Sequence, residues 1–195
     1  MASVRGNVNY DLARGVRLYE EDGPLPERAA ALWRVVASAD NDMARAFWQR
    51  YRRSDEVMTP ISDAKITELV ADILPYLRDK FERIASPKWV ETARDFVESA
   101  LAKNVTLSTL LAGLAAQTDA AFAALRASVE EGPELVNFCR TLSDVQMLEI
   151  DVFVASRIGN IDFAGRNGLR KLIERIALHL SDERKSPQTG GPKEM

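Results

Sequence analysis

Apolar positions along this chain recur every three to four residues, the spacing of one face of an α-helix. Residues 10–21 read as a short helix with Leu12, Val16 and Leu18 or Tyr19 inward, stopped by "DGPLP". Pro26 suits a first helical turn, where its missing N–H costs nothing. From residue 27 to 53, Leu32, Val35, Val36, Met43, Phe47 and Tyr51 keep the helical spacing. "SADND" in the middle is expected to split this segment, because Ser, Asp and Asn favour caps over interiors. After the linker "MTPISD", Ser62 or Asp63 caps a helix with Ile66, Leu69, Val70, Ile73, Leu77, Phe81 and Ile84 inward. Pro75 lies inside it and is expected to kink or divide it, since it lacks a donor and clashes with the preceding turn.

"SPKWVE" restarts the pattern, with Ser86 as cap and Pro87 in the first position. Trp89, Val90, Ala93, Phe96, Val97 and Leu101 follow on one face. "KNVT" breaks this helix, and Thr106 or Ser108 caps the next, lined by Leu107, Leu110, Leu111, Leu114, Phe122, Leu125 and Val129. Gly132 and Pro133 end it. A long helix over 135–158 holds Leu135, Phe138, Leu142, Val145, Leu148, Val152 and Ile158. "GNIDFAGRNG" interrupts with three glycines, and a last amphipathic helix carries Leu169, Leu172, Ile173, Ile176 and Leu180. "VFVAS" alternates briefly, but within a longer helical pattern. The expected fold is all-α, with seven or eight helices: too many for a simple four-helix bundle.

Composition narrows the function classes. The 195 residues suit one domain plus a tail. A net charge of −3 does not draw the whole chain to nucleic acid. The basic run "RYRRS" is followed at once by Asp55 and Glu56, and reads as a solvated helix end. Cys139 is the only cysteine, so an intrachain disulfide and a cysteine-built zinc site are excluded. "MASVRGNVNYD" has no apolar stretch of the signal-peptide kind, and no window approaches the roughly 18 apolar residues of a membrane span. The expectation is a cytoplasmic, soluble protein with neither membrane nor nucleic acid as partner.

Four stretches, in order, resemble the sensor globins: the input domains of globin-coupled sensors and their protoglobin relatives. "GVRLYEEDG" (15–23) looks like that family's short pre-helix. "ARAFWQRYRRSDEV" (44–57) looks like its helix with an aromatic pair. "ITELVADILPYLRDKF" (66–81) resembles the helix lining the distal side of the haem. "FVESALAKNVTLSTLLAGLAA" (96–116) resembles the stretch that carries the proximal histidine. The resemblance covers roughly residues 12–156. It implies a globin-like domain over residues 9–158, after a flexible terminus (1–8). A glycine-hinged helix (159–180) and a disordered tail (181–195) would follow. It also implies long C-terminal helices suited to dimerisation.

The departures touch the iron itself. The proximal histidine would fall at Ala102, or at Leu101 with a one-residue slip, and neither binds iron. The distal tyrosine falls at Trp48, whose indole donates a hydrogen bond but is no iron ligand. A globin needs an axial ligand from the protein. The expectation is therefore no cofactor: haem is what the family binds, and this chain shows no proximal histidine. Candidate pocket walls are Phe47, Trp48, Tyr76, Phe81, Phe96, Leu101 and Ala102.

Other polar residues read more plainly. His179, the sole histidine, sits near a helix end and suits a surface or capping role. Cys139 reads as a buried inert thiol. Trp33, Trp48 and Trp89 read as core. Glu149 and Asp151, in "LEIDVF", read as an exposed edge or an interface hydrogen bond, with a buried functional carboxylate as the alternative. Without a phosphate loop or a nucleophile motif, nothing points to an enzyme. The expected function is a non-catalytic sensory or regulatory module without haem. It would signal through a homodimer, a protein partner or a fused output domain. The alternatives are a helical small-molecule or haem carrier, and the input domain of a diguanylate cyclase or chemotaxis-type transducer.

Overall fold

The computed structural model describes residues 11–55, 57 and 60–158. Among them are seven α-helices and no strand, so the chain is all-α. The expected terminus (1–8), hinged helix (159–180), tail (181–195) and His179 lie outside the described residues. So does part of the "MTPISD" linker.

Helix α1 (Leu12–Arg17) begins where the Asp11 carboxylate accepts the Arg14 N–H at 2.9 Å. It is shorter than the expected 10–21, because its apolar stripe runs out: Val16 is buried, whereas Leu18 is exposed. Tyr19 supplies the inward contact instead, and its hydroxyl donates to Asp151 at 2.9 Å. Helix α2 (Leu25–Val36) carries Pro26 in its first turn and buries Leu25, Ala29, Leu32, Trp33 and Val36. A single 3₁₀ turn (Ala37–Ala39) separates it from α3 (Asp40–Tyr51), at the place "SADND" marked. No side chain caps α3, but Asp40 and Asp42 in its first turn oppose the positive helix end.

Helix α4 (Asp63–Glu82) starts with the Ser62 hydroxyl accepting the Lys65 N–H at 3.2 Å. It runs through Pro75 without dividing. Pro75 and Ala71, whose carbonyl loses its donor there, are both exposed, so water can serve that carbonyl. Helix α5 (Pro87–Ala102) starts as expected, with the Ser86 hydroxyl as cap and Pro87 next. The Trp89 indole donates to the Ile84 carbonyl at 2.8 Å and seals the turn between α4 and α5.

The "KNVT" break has a specific geometry. Asn104 takes a left-handed φ of 62°. Its N–H donates to the Leu101 carbonyl at 3.0 Å, and the Val105 N–H reaches back to the Ala100 carbonyl at 3.1 Å. This pair of bonds is a Schellman ending, and Val105 and Ala100 supply the buried apolar contact that accompanies it. The Thr106 hydroxyl then caps α6 (Leu107–Ser128) by accepting the Thr109 N–H at 3.3 Å. Helix α7 (Pro133–Ile158) follows the "EGP" turn.

Helix α6 is the inner member of the fold, packed on α2, α3 and α7. Its closest approach is to α3. A Cβ added at Gly113 would stand 2.7 Å from the Phe47 ring, so only glycine permits this crossing without displacing that ring. Helix α7 also packs on α2 and α5, and α4 packs on α2 and α3. None of the described helices is long and apolar enough to cross a membrane.

The Schellman ending makes Asn104 sensitive to substitution. Asn104→Gly should raise unfolding stability by about 0.5–1 kcal/mol, because glycine adopts positive φ freely. Asn104→Val should lower it by about 1–2 kcal/mol. Urea unfolding followed by circular dichroism measures both.

Candidate functional site

Five helices leave a cavity of about 460 Å³ between them. Each contributes side chains at helical spacing. Helix α3 turns Phe47, Trp48 and Tyr51 toward it; α4 turns Leu69, Ile73 and Tyr76; α5 turns Ala93, Phe96 and Ala100. Helix α6 adds Leu114 and Gln117, and α7 adds Glu149 and Phe153. The exposed lining residues are Lys65 and Asp72 on α4, and Thr92, Ser99 and Lys103 on α5, so the mouth lies between those two helices.

The aromatic walls form one connected set. Phe47 and Trp48 meet edge to face with centroids 5.1 Å apart, and Phe96 packs 5.8 Å from each. Phe153 extends the set from α7, 6.2 Å from Phe96. Such edge-to-face and tilted contacts are the favoured aromatic arrangements.

A buried ionic network forms one polar patch of the wall. The Lys80 ammonium donates to Glu149 at 2.8 Å, and both side chains are almost fully buried. The Tyr76 hydroxyl donates to the other carboxylate oxygen. Lys80 also lies 5.2 Å from the Phe81 ring centroid and 5.9 Å from that of Tyr76, within cation–π range. Burial, together with the adjacent Glu149 charge, pushes the Tyr76 phenol well above its ordinary pKa. Burial likewise raises the Tyr51 phenol. Glu149 is thus no exposed edge: it sits in the core and ties α7 to α4. Asp151, two residues on, does make a hydrogen bond, to Tyr19 within the chain. Burial raises its carboxyl pKa, and the Tyr19 bond lowers it in part.

Two buried polar atoms have no hydrogen-bond partner among the described residues: Trp48 Nε1 and Gln117 Oε1. Both side chains line the cavity.

Of the candidate walls, Phe47, Trp48, Tyr76 and Phe96 come together here. Phe81, Leu101 and Ala102 do not. Phe81 turns toward α2 and stacks on Trp33 at 5.3 Å. Leu101 and Ala102 fall between the cavity-facing positions Ser99, Ala100 and Lys103, and Ala102 is exposed. The residue aligned with a proximal histidine therefore points away from the cavity. Pattern reasoning missed Lys80 and Gln117. Both carried a signal: each is a long polar side chain at a position the apolar stripe reserves for the core.

These residues do not fit a haem. Among the described residues, the cavity lining contains no histidine, cysteine or methionine. Of its tyrosines, a residue type that can also serve haem iron, Tyr76 already has its hydroxyl engaged by Glu149. Among the described residues no group of three or more His, Cys, Asp or Glu is placed to hold a metal ion. No family model, curated protein or solved structure matches the chain.

The network can be tested as a unit. Lys80→Met strands a buried carboxylate and should cost about 3–5 kcal/mol in unfolding free energy at neutral pH. Lys80→Met combined with Glu149→Leu should recover most of that loss, because a buried ion pair adds little over well-packed apolar groups. Urea denaturation of the three proteins gives both numbers.

Proposed function

We propose that this chain is a non-catalytic sensory or regulatory module that binds a small organic molecule, not haem, in the cavity between α4 and α5. One observation carries the proposal: a cavity of about 460 Å³ walled by aromatic side chains from four helices, with a mouth open to solvent. That volume falls within the roughly 300–1,000 Å³ of small-molecule sites, which are mostly apolar with a few placed polar groups. The acid–base groups on its wall favour binding over catalysis. Glu149 is engaged by Lys80 and Tyr76, and the Tyr76 phenol is held neutral.

The regulatory half of the proposal rests on α7. This helix contributes Glu149 and Phe153 to the cavity wall and runs 26 residues to Ile158. A ligand pressing on Phe153 acts on a rigid rod that can carry the change to a second copy of the chain or to an output partner. The ordered likeness to the sensor globins supports the same reading and supplies its globin-like and homodimeric elements.

A neutral fluorescent probe, N-phenyl-1-naphthylamine, tests the binding half. Fluorescence should rise saturably with the wild-type protein. It should require about tenfold more protein with Thr92→Trp, which narrows the mouth, and with Ala93→Leu, which fills the floor. Unsaturable binding, or equal binding by two folded variants, would sink the proposal. Added haemin should give no Soret band of an axially ligated iron, and light scattering should report a dimer. A ligated haem or a strict monomer would contradict the corresponding part.

A further inference from the structure

The chemistry of the ligand follows from the polar atoms its cavity leaves unserved. Burying a hydrogen-bonding atom without a partner costs about 1–3 kcal/mol, so such atoms are rare and call for a cause. Here the two orphaned side-chain atoms, Trp48 Nε1 and Gln117 Oε1, belong to residues that are 7% and 2% exposed. They sit on different helices, α3 and α6, yet both residues line the same cavity. Neither atom is touched by a water-sized probe, whether from bulk solvent or from the cavity, so a ligand meets them only after a turn of the two side chains. An indole N–H can only donate. An amide can present its oxygen or, turned over, its nitrogen.

The charge inside the cavity is already balanced. Glu149 meets Lys80 at 2.8 Å and accepts from Tyr76, which among the described residues leaves no free cation on the floor to hold an acid. The charged side chains at the mouth are of both signs, Lys65 and Lys103 against Asp72. An ionised group seated on the floor, away from these mouth residues, would lose its hydration without gaining a counter-charge there. The walls favour flat molecules, because Phe47, Trp48, Tyr76, Phe96 and Phe153 offer π-faces and edges from four helices.

We infer that the cavity takes a flat, uncharged aromatic molecule bearing a hydrogen-bond acceptor, which pairs with the Trp48 indole N–H once that ring turns toward it, while the Gln117 amide turns to hold a second polar position. The inference rests on the ligand-binding reading above and narrows it to a chemical class. A ring nitrogen or a conjugated carbonyl meets the requirement. A plain hydrocarbon fills the same space but leaves Trp48 unserved, and a carboxylate carries a charge the floor cannot balance.

Shape-matched probes separate these cases. Naphthalene, quinoline and 2-naphthoate share a flat fused-ring frame and differ in acceptor and charge. Each is titrated into the ¹⁵N-labelled full chain while the indole N–H resonances are followed, with the Trp48 signal assigned by its loss in Trp48→Phe. Quinoline should bind about tenfold tighter than naphthalene and move the Trp48 signal downfield, and 2-naphthoate should bind weakest. Trp48→Phe should bring the ratio of quinoline to naphthalene affinity to about one, whatever it does to the two affinities together; its folding is checked by circular dichroism. Gln117→Leu, with Trp48 intact, should weaken quinoline binding more than naphthalene binding.

Equal binding of quinoline and naphthalene, with the cavity demonstrably occupied, would overturn this inference and spare the ligand-binding reading. Binding of none of the probes would count against both. Tightest binding by 2-naphthoate would overturn the claim of an uncharged ligand. A Trp48 N–H already bonded to Gln117 in the ligand-free protein, seen as through-bond coupling or as stability coupling between the two variants, would also overturn it.

Discussion

The Lys80–Glu149 pair is the constraint around which the described body is arranged. It joins α4 to α7 across 69 residues of sequence, at 2.8 Å and out of water. Burying two charges is tolerable only if each is paired and hydrogen-bonded, and here Tyr76 completes the carboxylate's partners. The pair therefore ties together two helices, α4 and α7, at a point buried in the core. An Arg28 clamp does comparable work at the other end of the fold. Its guanidinium reaches the Tyr19 carbonyl, Thr141 and Asp144, and so binds α2 and the segment after α1 to α7.

With α4 and α7 held in this way, the cavity is a consequence of geometry. Helix α3 lies hard against α6 at Gly113, the Lys80–Glu149 bond ties α7 to α4, and the space lies beside Phe47 and Phe96 among these four helices and α5. Aromatic rings fill part of it. Their edge-to-face contacts brace one another, and a remainder stays open toward the α4–α5 rim. A core usually collapses around such a space or pays for it in stability. Retention of this one, with an unpartnered indole donor and an unpartnered amide oxygen on residues of its walls, is what favours a bound molecule as its natural filling.

The local signals in the sequence were strong and the long-range ones weak. Ser62, Ser86 with Pro87, and Thr106 mark their helix starts, because capping depends on a few adjacent residues. The break at "KNVT" was also legible, although its Schellman geometry was not. Pro75 misled in part: a proline divides a helix only where nothing else can serve the lost carbonyl, and solvent exposure does not show in a residue string. The site was harder. Phe47, Trp48, Tyr76 and Phe96 were candidates as large aromatics on inward faces, and they do converge. Phe81 shared their pattern but faces Trp33 on α2, since one apolar stripe along α4 serves two neighbours. Leu101 and Ala102 followed from a resemblance and not from helical phase, and phase puts Ser99, Ala100 and Lys103 on the cavity side. The partnership of Lys80 with Glu149 depends on which helices meet, which no local pattern encodes.

Hydrogen exchange with and without quinoline at saturation tests most directly whether the cavity is a ligand site. Occupancy should slow exchange in the cavity-facing turns of α4 and α5, around Leu69 to Tyr76 and Phe96 to Lys103, and in α7 around Glu149 and Phe153. Protection confined to the outer surface, or no change in α4 and α5 at full saturation, would contradict it.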